Sequence, residues 1–496
     1  MQLSKLLEGV KVIKLYQTMF GRMVVTHEVE VRSVQYDSRN VSKEDCFVAL
    51  RGAAMDGHRF IGEAVNQGAK VVVIEDETAY PDSLAMHNGV VKVVVADTRV
   101  ALAEMAANYY SHPSRKLTIV GVTGTNGKTT STHLVKSILE ANGERVGLIG
   151  TIEYKIGEKT LPAVHTTPES LELQGLLAQM VDAGCTSVSM EVSSHALQQE
   201  RVHGVGFRAA AFTNLTQDHL DYHGSMGEYF KAKKILFDTL SGESTAVINV
   251  DDEHGTQMLA TTKAKPMSYA VSAAADVRAA AIDMTMKGIT MSVEHAGDRT
   301  DISSPLVGRF NVYNILTAFS VGVALGIPKQ TIQQGIARLQ SVKGRFERIA
   351  SPKGWMAIID YAHTPDALEK CLRAIREVIP NGKIITVFGA GGDRDKTKRP
   401  LMGKIAGELS DIAIVTSDNP RTEDPQRIID EVAAGIPKKA HAQQEVDRRV
   451  AIRKAIELAR AGDAVLIAGK GHEEYQVVGT EKRHFSDREV VEELIR

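Results

Sequence analysis

The chain reads as an α/β protein of three domains. A small N-terminal α/β domain (1–97) precedes a central domain with a phosphate-type loop on a parallel sheet (98–342). A C-terminal Rossmann-like α/β domain (343–496) follows. Three observations predict this. The 496 residues suffice for about three domains of ordinary size. Short apolar runs alternate with segments of helical apolar spacing, the pattern of a largely parallel sheet covered by helices. One strand, glycine turn and helix start, Gly124-Thr125-Asn126-Gly127-Lys128-Thr129-Thr130, marks the centre of the second domain.

In chain order, the runs Cys46–Leu50, Val71–Ile74 and Val90–Val95 read as strands, with Phe60–Gly68 helical among them. Thr98–Tyr110 is a helical connection to the apolar strand Leu117–Val122, and Thr132–Leu139 has helical spacing behind the glycine turn. Ser187–Val192 and Ala209–Asn214 read as strands, Met226–Leu240 and Asn311–Leu325 as helices. The last domain opens near Gly344, with a hinge at Val342–Gly344. Its strands are Met356–Asp360, Ile384–Gly389, Ile412–Ser417 and Ala464–Ala468, separated by helices such as Pro365–Val378.

Composition excludes several classes. Hydrophobic residues are 43% and charged residues 24%, an ordinary globular balance. A formal charge of −2 lacks the basic excess of a nucleic-acid partner. Cys46, Cys185 and Cys371 have no paired spacing for zinc or disulfides, which suits a reducing cytosol. Lys5, Lys11 and Lys14 interrupt Met1–Tyr16, so no signal-peptide core is expected. No apolar run approaches the ~20 residues of a membrane helix. A cytoplasmic protein without membrane insertion is expected.

The glycine turn is a phosphate cradle: backbone N–H groups and the positive helix end converge on one anion. Lys128 would reach the β- and γ-phosphates and the Thr129 hydroxyl would ligate Mg²⁺. The general nucleotide loop has glycine where this chain has Val122, so the loop belongs to a narrower variety. Two later strands end in the clusters Glu191–His195 and Thr213–His223, which could place Glu191, Asp218 and His219 beside that metal. Ser193 and His195 do not make a hydrolase, because residues two apart are not arranged as nucleophile and base and no Gly-x-Ser-x-Gly elbow is present. A second glycine loop, Gly389–Lys396, has Arg394 where a dinucleotide fingerprint has its third glycine. With Asp418-Asn419-Pro420-Arg421 and Gly469-Lys470-Gly471-His472-Glu473 at neighbouring strand ends, it suggests a polar pocket.

Taken together, Gly124–Thr130, Glu191–His195, Asn214 with Asp218–His223, Phe310–Asn314, Gly344-Arg345-Phe346-Glu347 and Asp360-Tyr361-Ala362-His363 resemble the Mur ligase family over essentially the whole chain. That family consists of ATP-dependent enzymes that build the peptide stem of the bacterial cell wall. His165-Thr166-Thr167-Pro168, Asp418–Arg421 and Gly469–Glu473 resemble its diaminopimelate-adding members. The resemblance implies UDP-N-acetylmuramoyl-L-alanyl-D-glutamate and meso-diaminopimelate as substrates, ATP and Mg²⁺ as cofactors, and a monomer.

It also implies roles for single residues. Tyr36–Arg39 and the Gly52–Gly57 loop resemble the uridine-nucleotide contact, with Ser38 a ligand. Thr166, Thr167, Ser193, Gln199 and Arg201 resemble contacts to the UDP-muramoyl-dipeptide; the family carries Asn where this chain has His165. Gly124–Thr130 with Asn314, Arg345 and Asp360 match ATP-binding positions. Lys233, chosen over Lys231 and Lys234 by its spacing from Met226 and Tyr229, falls on a carbamylated lysine. With His219 it would hold a second Mg²⁺, beside a first on Thr129 and Glu191. The implied mechanism is attack of the D-glutamyl γ-carboxylate on the γ-phosphate, then attack of an amine on the acyl phosphate, with Lys128, Lys233 and His219 as catalytic groups. Diaminopimelate differs from lysine by a distal carboxylate, which calls for a planar guanidinium. Arg421 fits that role, with Arg394, Asp418, Asn419, Pro420, Gly469 and Glu473 around it. A folylpolyglutamate-type ligase shares the loop but places a small residue and Ser after the lysine. A nucleotide-dependent switch would not need the third-domain pocket.

Overall fold

The computed structural model describes residues 1–19, 22–52 and 55–495. They form two compact units: Met1–Gly121, Glu144–Arg208 and Ala232–Ser244 in the first, Val122–Gly143, Ala209–Lys231 and Thr245–Arg496 in the second.

In the first unit a five-stranded sheet has the order Val12–Tyr16, Val91–Val95, Val71–Ile74, Cys46–Val48, Val34–Gln35. It is parallel except for its first strand. Val71–Ile74 is buried throughout, the mark of a strand covered on both faces. Leu102, Met105 and Val29 pack on one face; Phe47, Ile61 and Tyr80 pack on the other. The helix Thr98–Tyr109 begins where the Asp97 carboxylate accepts from the Arg99 and Val100 amides at 2.8 and 3.1 Å. Farther along, Val146–Ile149 runs parallel to Ser187–Glu191 and continues into an antiparallel hairpin, Glu153–Ile156 with Lys159–Pro162.

In the second unit, Ala209–Phe212 pairs in parallel with the strand Thr245–Asn249, which pairs in turn with Lys265–Ala270. Three strands then follow, Val277–Thr285, Gly288–His295 and Asp298–Ser304, as an antiparallel meander. Sequence reading missed it because polar residues fill inward positions: in Asp298–Ser304, Thr300, Ile302 and Ser304 are buried between exposed neighbours. The helix Lys128–Ala141 packs on Arg309–Ala324 and Lys329–Arg338. A β-carbon at Gly335 would lie 2.4 Å from Ile138 Cα, so that approach needs glycine.

The C-terminal sheet has the order Glu347–Ala350, Met356–Asp360, Ala464–Ala468, Ile384–Phe388, Ile412–Thr416, Ala442–Glu445, parallel after the first pair. Its faces are covered by two apolar clusters, one around Leu368, Leu372 and Met402, the other around Ile452, Ala455 and Val491. The loops after Asp360, Phe388, Thr416 and Ala468 therefore leave from one sheet edge, the place where such sheets bind ligands. Tyr475–Val478 and Glu481–His484 add a hairpin the sequence did not announce. Among the described residues no helix is long and apolar enough to cross a membrane.

Candidate active site

The strand Thr118–Thr123 ends at Gly124 and the helix Lys128–Ala141 starts at Lys128. Val122, which stands where the general loop has glycine, is fully buried in that strand. Gly124 has φ 147° and Gly127 φ 88°. A β-carbon at Gly124 would lie 1.9 Å from Thr213 Oγ1, and one at Gly127 2.4 Å from Asn314 Oδ1. The loop is held from below by Asn214: its carbonyl accepts from Thr125 N at 2.8 Å and its Oδ1 from Asn126 N at 3.0 Å. Thr213 Oγ1 donates to the Asn126 carbonyl at 2.6 Å. Lys128 Nζ donates to the carbonyls of Gly124 and Thr125 at 2.8 and 2.9 Å, folded over the cradle a phosphate would fill. Thr130 is buried in the first helical turn. Asn314 Oδ1 accepts from Ser131 Oγ at 3.4 Å, and its amide donates to Asn311 Oδ1 at 2.8 Å.

Groups from the C-terminal sheet reach this loop. Arg345 Nη2 donates to Thr129 Oγ1 at 3.1 Å, and its guanidinium lies 4.8 Å from the Tyr361 ring centre. Asn126 Nδ2 donates to Asp366 Oδ2 at 2.9 Å, and Lys370 Nζ donates to the same oxygen at 2.8 Å. Asp360 accepts from the Phe346 and Ala362 amides at 2.6 and 2.8 Å, and burial raises its carboxyl above the usual range. Sequence reasoning missed Asp366 and Lys370. Thr364-Pro365-Asp366 does carry a helix-start signature, and Thr364 caps that helix.

His219 has φ 53° and its Nε2 lies 3.5 Å from Asp218 Oδ2. Burial pushes the Asp218 carboxyl up, but the neighbouring His219, His363 and Lys128 hold it below its ordinary value. Among the described residues no three His, Cys, Asp or Glu side chains cluster as a metal site. Mg²⁺ is a hard cation that takes one or two protein oxygens and completes its shell with water and substrate phosphates. The Thr129 hydroxyl is a hard oxygen of the kind that ion takes.

In the first unit, Glu191 is fully buried; its carboxylate accepts from Thr151 N at 2.8 Å and Thr151 Oγ1 at 3.0 Å. Thr166 Oγ1 lies 3.0 Å from Thr151 Oγ1. Thr167 Oγ1 donates to the Glu191 carbonyl at 2.8 Å and accepts from Ser193 N at 3.1 Å. Ser193 Oγ caps the helix Ser194–Gln198 by accepting from Ala196 N at 3.2 Å. Arg201 donates to the Thr167 carbonyl at 3.0 Å and to Gln199 Oε1 at 2.7 Å. Thr166, Thr167, Ser193, Gln199 and Arg201 thus form one polar cluster. Ser38 Oγ donates to Glu63 instead, at 2.9 Å, while Tyr36 Oη donates to Glu172 Oε1 at 2.9 Å. Residues 53 and 54 of the Gly52–Gly57 loop lie outside the described residues. Lys233 is buried at 1% exposure.

The C-terminal pocket joins three loops. Asn419 Nδ2 and Lys470 Nζ both donate to Glu473 Oε2, at 2.9 and 3.2 Å. Gly469 has φ 116°, and a β-carbon there would sit 2.4 Å from Asp418 Oδ2. Pro420 is buried, and Arg421 Nη1 donates to the Gly392 carbonyl at 2.7 Å. Arg394 is exposed and donates to the Asp393 carbonyl at 3.2 Å. A phosphate-type loop hydrogen-bonded to Arg345 and Asp366, in a unit whose C-terminal sheet also carries a polar pocket, is an arrangement suited to a nucleotide-dependent enzyme with an additional small-molecule site.

The chain belongs to the Mur ligase family. Three family models match it: the Mur ligase family catalytic domain at 30–110, the Mur ligase middle domain at 122–322, and the Mur ligase glutamate ligase domain at 344–471. Among its relatives, a UDP-N-acetylmuramoyl-L-alanyl-D-glutamate–2,6-diaminopimelate ligase of Clostridium botulinum is 45% identical over 469 residues, spanning 94% of this chain and 95% of that one. A solved structure under the same name shares 33% identity with a TM-score of 0.69, over 95% and 96% of the two chains. A MurF ligase from Thermotoga maritima in complex with ADP shares the fold at 20% identity and a TM-score of 0.61, over 88% of this chain and 94% of that one.

Proposed function

We propose that this protein is an ATP-dependent amide ligase that adds meso-2,6-diaminopimelate to UDP-N-acetylmuramoyl-L-alanyl-D-glutamate, a step of peptidoglycan synthesis in the cytoplasm. The observation that carries the reading is the pair of bonds Arg345–Thr129 and Asn126–Asp366, which join the phosphate loop to the sheet bearing the Arg421 pocket. The names of the relatives support the substrates. The domain limits 1–97, 98–342 and 343–496, with a monomeric chain, belong to the same reading.

The D-glutamyl γ-carboxylate attacks the γ-phosphorus of ATP, forming a carboxyl–phosphoryl bond and releasing ADP. Phosphoryl transfer asks mainly for positioning and charge neutralisation. The loop amides of Gly124–Thr130 cradle the phosphates, and Lys128 leaves its carbonyl partners to meet the transferred group. Arg345 neutralises charge from the other side, with Asn314 and Asp360 fixing the nucleotide. Thr129 and Glu191 would hold one Mg²⁺, and His219 with a carbamylated Lys233 a second; these ions supply charge that lets one anion approach another. Ser38, Thr166, Thr167, Ser193, Gln199 and Arg201 bind the UDP-muramoyl-dipeptide. The neutral amine of diaminopimelate then attacks the acyl carbon, and the tetrahedral intermediate expels inorganic phosphate. Arg394, Asp418, Asn419, Pro420, Arg421, Gly469 and Glu473 hold the amino acid, Arg421 by its distal carboxylate.

The test is phosphate release from ATP by the purified chain. It should require both the UDP-muramoyl-dipeptide and diaminopimelate; dependence on a folate, or on neither substrate, would refute the reading.

A further inference from the structure

The loops bearing Arg394, Asp418–Arg421 and Gly469–Glu473 leave the sheet at separate points, so a guanidinium on one of them is only as well placed as their mutual register. Beneath two of them lies Arg399, with a side chain at 0% exposure. Its Nη1 donates to Glu423 Oε2 at 3.1 Å and Glu431 Oε2 at 2.7 Å. Its Nη2 donates to Glu423 Oε1 at 2.8 Å and to the Gly391 carbonyl at 3.2 Å. Glu423 Oε1 also accepts from Asp393 N at 2.6 Å, and Lys396 Nζ lies 3.0 Å from its Oε2. One buried cation therefore ties the 391–393 loop to the segment that follows Arg421 and to the helix Pro425–Ala433.

Above this tie the two loops are fastened residue by residue. Gly392 N donates to the Asn419 carbonyl at 2.9 Å, Thr422 Oγ1 to Asp393 Oδ1 at 2.8 Å, and Arg421 Nη1 to the Gly392 carbonyl at 2.7 Å. Asp393 and Arg421 sit at φ 52° and 51°, a left-handed backbone that a β-carbon disfavours and that persists only where its surroundings impose it. Charge points the same way. Hydrogen bonding from Arg399 holds the Glu423 carboxyl far below its usual range, so it stays anionic two residues from Arg421.

We infer that Arg399 is a positioning residue for amino-acid selection: its buried fork fixes Glu423 and the Gly391 carbonyl, and so sets where Arg421 presents its guanidinium to a substrate carboxylate. The inference rests on the proposed function for the identity of that carboxylate. Lysine at 399 keeps the charge but cannot bond two carboxylates and a carbonyl in one plane.

The experiment is steady-state amide formation by full-length Arg399→Lys and Glu431→Gln, with diaminopimelate and with L-lysine, alongside thermal melting. Arg399→Lys should raise KM for diaminopimelate at least tenfold and erode its preference over lysine, with KM for ATP within twofold of wild type. Glu431→Gln, which removes only the outer arm, should move the same two quantities less and melt like wild type. It decides the matter if Arg399→Lys does not fold. An unchanged KM for diaminopimelate in the folded variants would overturn the inference, as would KM values for all three substrates rising in parallel with a falling Tm. Failure of the wild type to use diaminopimelate would refute the proposed function instead.

Discussion

On the proposed function, the phosphate loop and the Arg421 pocket solve the same problem, holding an anion, by opposite means. The loop uses backbone: Gly124 and Gly127 adopt conformations closed to other residues, and β-carbons there would strike Thr213 and Asn314. The pocket uses side chains: Arg421, Asn419, Lys470 and Glu473 from separate loops, braced by a buried Arg399. Backbone amides serve any phosphate, whereas a braced guanidinium can tell one amino acid from another. The proposed function thus puts general chemistry in a contiguous motif and specificity in a dispersed one.

The sharpest way to break this contrast is at the backbone. Gly124→Ala should lower kcat/KM for ATP by on the order of 10²–10³, comparable to losing an oxyanion donor. Adding Thr213→Ala should restore only part, because it removes the clash at 1.9 Å but leaves φ 147°. Nucleotide-dependent phosphate release measures both; full recovery in the double variant would show that crowding, not backbone conformation, demands the glycine.

In the pocket, Arg421→Ala should cost about 2–5 kcal/mol of transition-state binding with diaminopimelate, the usual loss on breaking a buried charge pair. Lysine, which has no distal carboxylate, should lose far less. Comparing kcat/KM for the two amino acids gives the result, and equal losses would mean that Arg421 does not read that carboxylate. ATP binding should stay intact, which Gly124→Ala cannot claim.

The smallest effect concerns the junction between the two regions. His472 lies against Tyr361, ring centres 5.1 Å apart, and its Nδ1 is buried without a hydrogen-bond partner among the described residues. Burial, then the charges of Arg345, Lys343 and Lys470, push its pKa down to about 3. The folded state therefore binds fewer protons than the unfolded one between about 6.5 and 3. Stability from neutral His472 is present above about 6.5 and drains as pH falls toward 3. Between pH 6.5 and 5 the loss is at most about 2 kcal/mol. Chemical denaturation across this range should be flatter for His472→Gln than for wild type; parallel curves would place the acid sensitivity elsewhere.

Much of the fold was legible in the chain. The strands Val71–Ile74, Met356–Asp360 and Ala464–Ala468 and the helix Pro365–Val378 lie where apolar runs and helix-start residues put them. Buried parallel strands are continuous Val/Ile runs and need no partner to be recognised. In the last strand of the meander, Asp298–Ser304, two of the three buried positions are Thr300 and Ser304, polar residues that tell an inward face from an outward one only once strands pair. Within the site, the phosphate loop could be read directly, since its function is a property of consecutive residues.

By itself, then, the sequence determined the α/β class, the phosphate cradle and the family. Each depends on neighbours along the chain, where spacing and local conformation are one thing. Only the tertiary structure decided that Asp366 meets Asn126, that Arg345 reaches Thr129, and that Arg399 lies under the Arg421 loops. Those pairs are separated by 240, 216 and 8 residues, and even the last is not a helical or strand neighbour contact. Such contacts exist because parallel strands deliver their C-terminal loops to one edge, an arrangement that hydrogen bonding between strands imposes and no local pattern encodes.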